Sequence, residues 1–361
     1  MRLRWTLALG VGALAGCSLV TSLSELGPDG GATDSGVPET GVPGDSACVD
    51  LQKDPKNCGV CGRDCLGGTC TAGACDPAPL AAAQVAPSSI ALDADHVYWV
   101  VAGTIRRTVL SVGGNVETVG KGTLGGLAYL TVDGASLFAT AGTVGTSVYA
   151  IPSSEVSGVI APSLIASFDG GAAAGFGLDS AHLFVFQPGA AVTGCTSLPC
   201  LFVSARDGSN PTKLWASTSQ FDRMTIDGGR AFLLAGATLS SIGALETSPT
   251  LLATLPSTGG DVAADAKSAY VTLPALGSIA AVPRAGGPVT TIVAGQASPR
   301  LLTAGAGFIA WVTDTGLMGC SPSACTTPKA YAQGTPSSIA LDARAIYWTD
   351  PKRAGVFMTP R

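Results

Sequence analysis

The amino-acid sequence predicts an all-β chain closed into a seven-bladed β-propeller, with a six-bladed ring as the alternative, and three observations carry that prediction. Composition suits tightly turned β structure: 48 of 361 residues are Gly, 46% are apolar and only 12% are charged. One short pattern recurs seven times, at intervals of 37 to 48 residues. Each recurrence opens a segment that reads as four short strands, the layout of a propeller blade.

The elements before the repeats come in order along the chain. Arg2 and Arg4 precede a short apolar run, Leu7 to Ala15, which ends in Leu14-Ala15-Gly16-Cys17. These residues resemble a bacterial lipoprotein signal peptide over 1–16. The resemblance implies that Cys17 is lipidated, becomes the mature N-terminus and anchors the chain to the outer membrane. The alternative, a transmembrane anchor, is too short, since a span needs about 20 apolar residues. Residues 17–47 then form a flexible, disordered linker, because they hold Gly, Pro, Ser and acidic residues with no Lys or Arg.

Residues 48–75 carry Cys48, Cys58, Cys61, Cys65, Cys70 and Cys75. Six Cys among so many Gly cannot build an apolar core, so disulfides must supply the stability of this small module. Fifteen pairings are possible and the spacing does not choose among them. Zinc on Cys58-x-x-Cys61 is the competing reading, weakened by the absence of a nearby His and by the oxidising compartment that export implies. The stretch from Asp54 to Gly62 resembles a small Cys-rich module found beside repeat domains in bacterial surface proteins. Two further pairs, Cys195 with Cys200 and Cys320 with Cys325, read as local disulfide clips.

The propeller occupies residues 79–361. Its pattern is apolar, small, apolar, then an anchor, and the anchors are Asp93, Asp133, Asp179, Asp227, Asp265 and Asp342, with Gly305 in the sixth repeat. Three positions before the anchors stand Ile90, Leu130, Phe176, Met224, Val262, Leu302 and Ile339. Two before stand only small residues, Ala91, Thr131, Gly177, Thr225, Ala263, Thr303 and Ala340, on a strand face with no room for a large side chain. Five after come Tyr98, Phe138, Phe184, Phe232, Tyr270, Ala310 and Tyr347 on a second strand. Each Asp is expected to hold its own turn by accepting backbone amides. A catalytic or calcium-binding role fits less well with a residue repeated in every blade.

The last repeat has room for three strands only. Pro79 to Ser89 parallels Pro328 to Ser338, so Leu80–Val85 is predicted to supply the missing fourth strand and close the ring. Tyr98-Trp99 and Tyr347-Trp348-Thr349-Asp350 resemble the YWTD and NHL class of propellers, which implies the fold but no particular function.

Functional chemistry is sparse. Twenty scattered Lys and Arg against a net charge of -5 exclude a basic stripe for nucleic acid. Cofactor and hydrolase motifs are absent, so neither a cofactor nor a resident metal is expected. His96 and His182 fall at equivalent turn positions and read as surface turn residues. Connections between second and third strands offer Asp314 and the run Asp350-Pro351-Lys352-Arg353, and fourth-to-first connections offer Asp169, Asp222 and Asp261. Convergence of those three carboxylates on a metal would make the chain a metal-dependent hydrolase of the lactonase type. The expected function is instead that of a non-enzymatic lipoprotein of the cell envelope, on its periplasmic or surface face, whose propeller binds a protein or polysaccharide.

Overall fold

The computed structural model describes residues 48, 50–142, 145–169, 173, 175–187, 199–216 and 223–361. The expected signal peptide, Cys17, the linker, Cys195 and Asp222 lie outside the described residues. The described residues from 48 to 361 belong to one compact unit.

Seven antiparallel four-stranded sheets make seven blades. Their inner strands are Ser88–Leu92, Tyr129–Asp133, Gly175–Leu178, Arg223–Asp227, Asp261–Ala264, Arg300–Gly305 and Ser338–Leu341. Each inner strand touches the next, and Ser338–Leu341 touches Ser88–Leu92, which closes the ring. In blade 1 the chain continues through His96–Val101, Thr104–Val109 and Glu117–Val119. First-to-second and third-to-fourth turns therefore lie on one rim, here the anchor rim; the other two kinds of connection lie on the opposite rim.

Blade 7 is completed by the N-terminal strand Ala78–Ala81, with Ala78 opposite Met358 and Pro79 opposite Phe357 on Gly355–Pro360. This strand starts two residues earlier than the sequence predicts and ends at Ala81. Ala83 and Ala86 take left-handed backbone angles (φ 57° and 49°), and the Gln84 amide donates to the Ala354 carbonyl at 2.8 Å, so the chain turns there into blade 1.

Size alternation at the axis explains the repeated pattern. Large residues of one blade pack on small ones of the blade before it, as Leu130 does within the cluster holding Ala91 and Tyr98. A Cβ added to Gly177 would fall 2.3 Å from Ile226 Cγ1, so the small residue is a steric requirement. The second strands bury the largest side chains, among them Trp99, Trp311 and Trp348. Each removes about 200 Å² from water, roughly 5 kcal/mol of driving force before entropy is counted. Trp99 and Trp311 donate their indole N–H to Gln84 (3.2 Å) and Gln296 (3.1 Å), in each case a Gln 15 residues upstream.

The Cys-rich module pairs Cys48 with Cys61, Cys58 with Cys70 and Cys65 with Cys75 around a minimal hairpin, Cys70–Thr71 with Ala74–Cys75. Leu66 packs on the core between blades 7 and 1, and Gly67 lies against Val112, where a Cβ would be 2.5 Å from its Cγ2. Cys320 bonds Cys325, as the spacing predicts, and Cys200 is also disulfide-bonded. Among the described residues no helix is long and apolar enough to cross a membrane.

Candidate functional site

The anchors on the rim fall into two kinds. Asp93 Oδ1 accepts the amides of Asp95 (2.8 Å) and His96 (2.7 Å), while Oδ2 takes the Tyr98 hydroxyl at 2.6 Å. Asp265 and Asp342 repeat this arrangement with Tyr270 and Tyr347. Asp179 accepts the amides of Ala181 and His182, and the His182 ring takes the place of the missing tyrosine hydroxyl, with Nδ1 3.1 Å from the carboxylate. Burial opposes the charge on Asp93, but the Tyr98 hydroxyl and the two amides outweigh it and hold the carboxyl below its usual range. Burial and Asp93 together push Tyr98 up to about 12, and burial and Asp342 do the same to Tyr347.

Asp133 and Asp227 correct the expectation that every anchor holds its own turn. Each is followed by Gly (Gly134, φ 57°; Gly228, φ 52°), so the chain reverses in two residues and no amide of the turn donates to either carboxylate. Their carboxylates pair instead with an arginine of the following blade. Arg206 reaches Asp133 and lies 5.2 Å over the Phe138 ring. Arg284 reaches the Asp227 carboxylate, donates to the carbonyls of Asp227 (2.9 Å) and Asp265 (2.8 Å), and lies 4.8 Å over Phe232. At both of these Asp-Gly anchors the second strand offers Phe in place of Tyr, and the next blade supplies a cation.

These arginines occupy one repeated position, the residue just past the third strand. In blades 1 to 7 it is Leu110, Ser153, Arg206, Ala244, Arg284, Ser321 and Arg361. Arg361 covers Phe308 at 5.6 Å and donates to the Ala306 carbonyl at 3.1 Å. Slots between blades 2 and 3, 4 and 5, and 6 and 7 are thus filled by arginine. Ser153 and Ser321 stand at that position facing blades 1 and 5, and both of these slots are open. The slot between blades 1 and 2 is a cavity of about 580 Å³ lined by Asp93, Asp95, His96, Arg107, Asp133 and Ser153, with others. The slot between blades 5 and 6 measures about 400 Å³ and holds Asp265 and Lys267.

In the first slot, Arg107 is tied to Glu117 (2.8 Å) and to the Ser153 carbonyl (2.6 Å). Exposed Asp95 lines the cavity, and its carboxylate has no partner among the described residues. His96, expected at the surface, is half-buried with Nδ1 3.6 Å from Asp93. Sequence reasoning missed Asp95, Arg107 and Ser153, because this cavity lies on the anchor rim.

On the opposite rim, Asp261, Asp314 and Asp350 each make structural contacts. Asp261 accepts the amides of its neighbour Val262 (2.9 Å) and of Leu302 in blade 6 (3.0 Å). Leu301 adopts a left-handed φ of 49° at a bulge that turns this amide toward blade 5. Ser89 (φ 44°) makes the same bulge in blade 1, where Ser338 takes the Ile90 amide at 3.1 Å. Burial pushes the Asp261 carboxyl up against the pull of both amides. Asp314 pairs with Arg300 at 3.1 Å, and buried Asp350 accepts the amides of Lys352 and Arg353 on Oδ1, while its Oδ2 has no partner among the described residues. Asp169 and Asp222 are not placed by the described side chains. The one group of three metal-type donors among the described residues is Cys58, Cys65 and Cys75, and each belongs to a disulfide.

No family model matches the chain, and no curated protein matches it. Solved structures do. Streptogramin B lyase is 12% identical with a TM-score of 0.58, over 78% of this chain and 96% of that one. The WD40 β-propeller domain of Doa1 is 13% identical with a TM-score of 0.57, over 79% and 95%. The computationally designed Ika8 protein is 12% identical with a TM-score of 0.55, over 78% and 98%. At these identities the likeness extends to the propeller fold and not to an activity.

Proposed function

We propose that the chain is a lipoprotein of the cell envelope, held to the outer membrane through Cys17, whose propeller is a binding scaffold for a protein or polysaccharide and not an enzyme. The open slot between blades 1 and 2 carries this reading. It is the larger of the two open slots described above, and its wall offers Asp95 and Ser153 to a ligand without dismantling any anchor. A concave site of this size with a few placed polar groups is the kind of surface that receives a partner. Polar chemistry on the opposite rim supports the same reading, since Asp261 and Asp350 each serve backbone amides of the scaffold.

Purified mature protein should retain a subset of envelope polysaccharides or purified surface proteins, and Ser153→Arg should abolish that retention by filling the slot from within. Retention unchanged in Ser153→Arg would remove the slot from the reading. Cys17→Ser should leave the chain without acyl groups by intact mass; a variant that still carries them would sink the anchoring claim. A lactonase-type hydrolase would instead show chelator-sensitive ester or lactone hydrolysis.

A further inference from the structure

We infer that the slot between blades 1 and 2 receives the guanidinium of an arginine on a partner protein. This inference rests on the binding reading above and names its partner chemistry. Three sibling slots of the same ring are already occupied by arginine side chains, so the chain itself shows what this geometry accepts. Arg206 and Arg284 meet anchor carboxylates there, Arg284 and Arg361 donate to turn carbonyls, and all three cover a ring of the second strand. Between blades 1 and 2 the resident arginine is replaced by Ser153, and the cavity stands in its place.

Charge distinguishes this slot from the other open one. Asp93, Asp95, Asp133 and Glu117 place four carboxylates in or beside it. The cations there are Arg107 and Arg206, each already ion-paired, and His96, which faces Asp93. Asp95 is left with acceptor oxygens and no donor among the described residues. The slot between blades 5 and 6 balances Asp265 with Lys267 and has no such excess. A planar cation with several N–H donors satisfies the first slot better than a point-charge ammonium, because acceptors lie on more than one wall. Tyr98 is fully buried, so the incoming group bonds to the carboxylates and does not stack on that ring as Arg284 does on Phe232.

The test uses the mature protein and three blocked pentapeptides, Gly-Gly-X-Gly-Gly, with X as arginine, lysine or citrulline, observed by saturation-transfer NMR. Arginine peptide should give about threefold or more transfer over citrulline and exceed lysine. Ser153→Arg should lose the signal and raise the melting temperature by filling the slot in cis. Asp95→Asn, whose side chain holds nothing else in place, should weaken the signal while the fold is unchanged. Equal transfer to citrulline and arginine, or a signal that survives both variants, overturns the inference. A polysaccharide whose retention is lost in Ser153→Arg, with no arginine signal in the wild type, overturns the guanidinium and leaves the scaffold reading standing.

Discussion

Arg284 supports a quantitative prediction because its contacts join two blades. Arg284→Ala removes hydrogen bonds to the carbonyls of Asp227 and Asp265, the ion pair with Asp227 and the cover over Phe232. The cation over the ring is worth about 0.5–1 kcal/mol. Charged donors on partly buried carbonyls contribute about 1 kcal/mol each after solvent is counted. The carboxylate pair is discounted to about 1 kcal/mol, since 36% of the Asp227 side chain remains exposed. Allowing for non-additivity, the loss should be about 2–3 kcal/mol. Urea unfolding of Arg284→Ala, Asp227→Ala and the double variant gives the decisive quantity, a coupling of about 1 kcal/mol. Asp93→Ala combined with Ser153→Ala should show no coupling, because Asp93 is satisfied within its own blade. Zero coupling for Arg284 with Asp227, or equal coupling in both pairs, would refute the division of the anchors into two kinds.

Three further outcomes follow from the packing and the titrating groups. Removing residues 78–81 takes away buried Leu80 and leaves the edge of Gly355–Pro360 unpaired, so the variant should melt lower or aggregate; an unchanged melting curve would deny that this strand closes the ring. Gly177→Val should cost about 1–3 kcal/mol or more through collision with Ile226, whereas Ala340→Gly, which adds no atoms, should be milder; the order is read from unfolding midpoints. Stability should be flat at intermediate pH and fall at both ends. Asp93 and Asp179 have lowered carboxyl pKa values, so their contribution is present above about pH 4 and lost as pH falls through the folded values. Tyr98 and Tyr347 are raised to about 12, so their contribution is present below about pH 10 and lost as pH rises toward 12. Tyr98→Phe should blunt the alkaline loss, and a fall centred on neutral pH would contradict the assignment.

Much of the ring was legible because its rules are local. Apolar and small residues alternate with a period of two, and that period fixes which face meets which neighbour, down to Gly177 under Ile226. Closure was legible because Pro79 to Ser89 repeats Pro328 to Ser338. The arginine slots were not, since Arg284 and Asp227 are 57 residues apart and meet only when blade 5 docks on blade 4. A signal was nonetheless present: the anchors followed by Gly, Asp133 and Asp227, are those whose second strand carries Phe and whose next blade carries Arg206 or Arg284. An Asp-Gly reversal directs no amide at its carboxylate, and a Phe offers it no hydroxyl, so a donor had to come from elsewhere. Asp261 read as a possible metal ligand because the bulge at Leu301, which turns an amide toward it, has no signature in sequence.

The strand that completes blade 7 also sets the order in which the chain can become native. Ala81 lies opposite Val356, 275 residues later, so that pairing forms only when both ends of the propeller have been delivered. Bringing such distant segments together costs roughly 5 kcal/mol of chain entropy, which neighbouring-strand hairpins within a blade avoid. Blades can therefore assemble from local contacts as the chain emerges, while the N-terminal strand waits beside an already oxidisable module and the C-terminal edge is still absent. High contact order at that one joint makes ring closure the slow step, and the unpaired edge of Gly355–Pro360 is the surface a chaperone would have to shield until then.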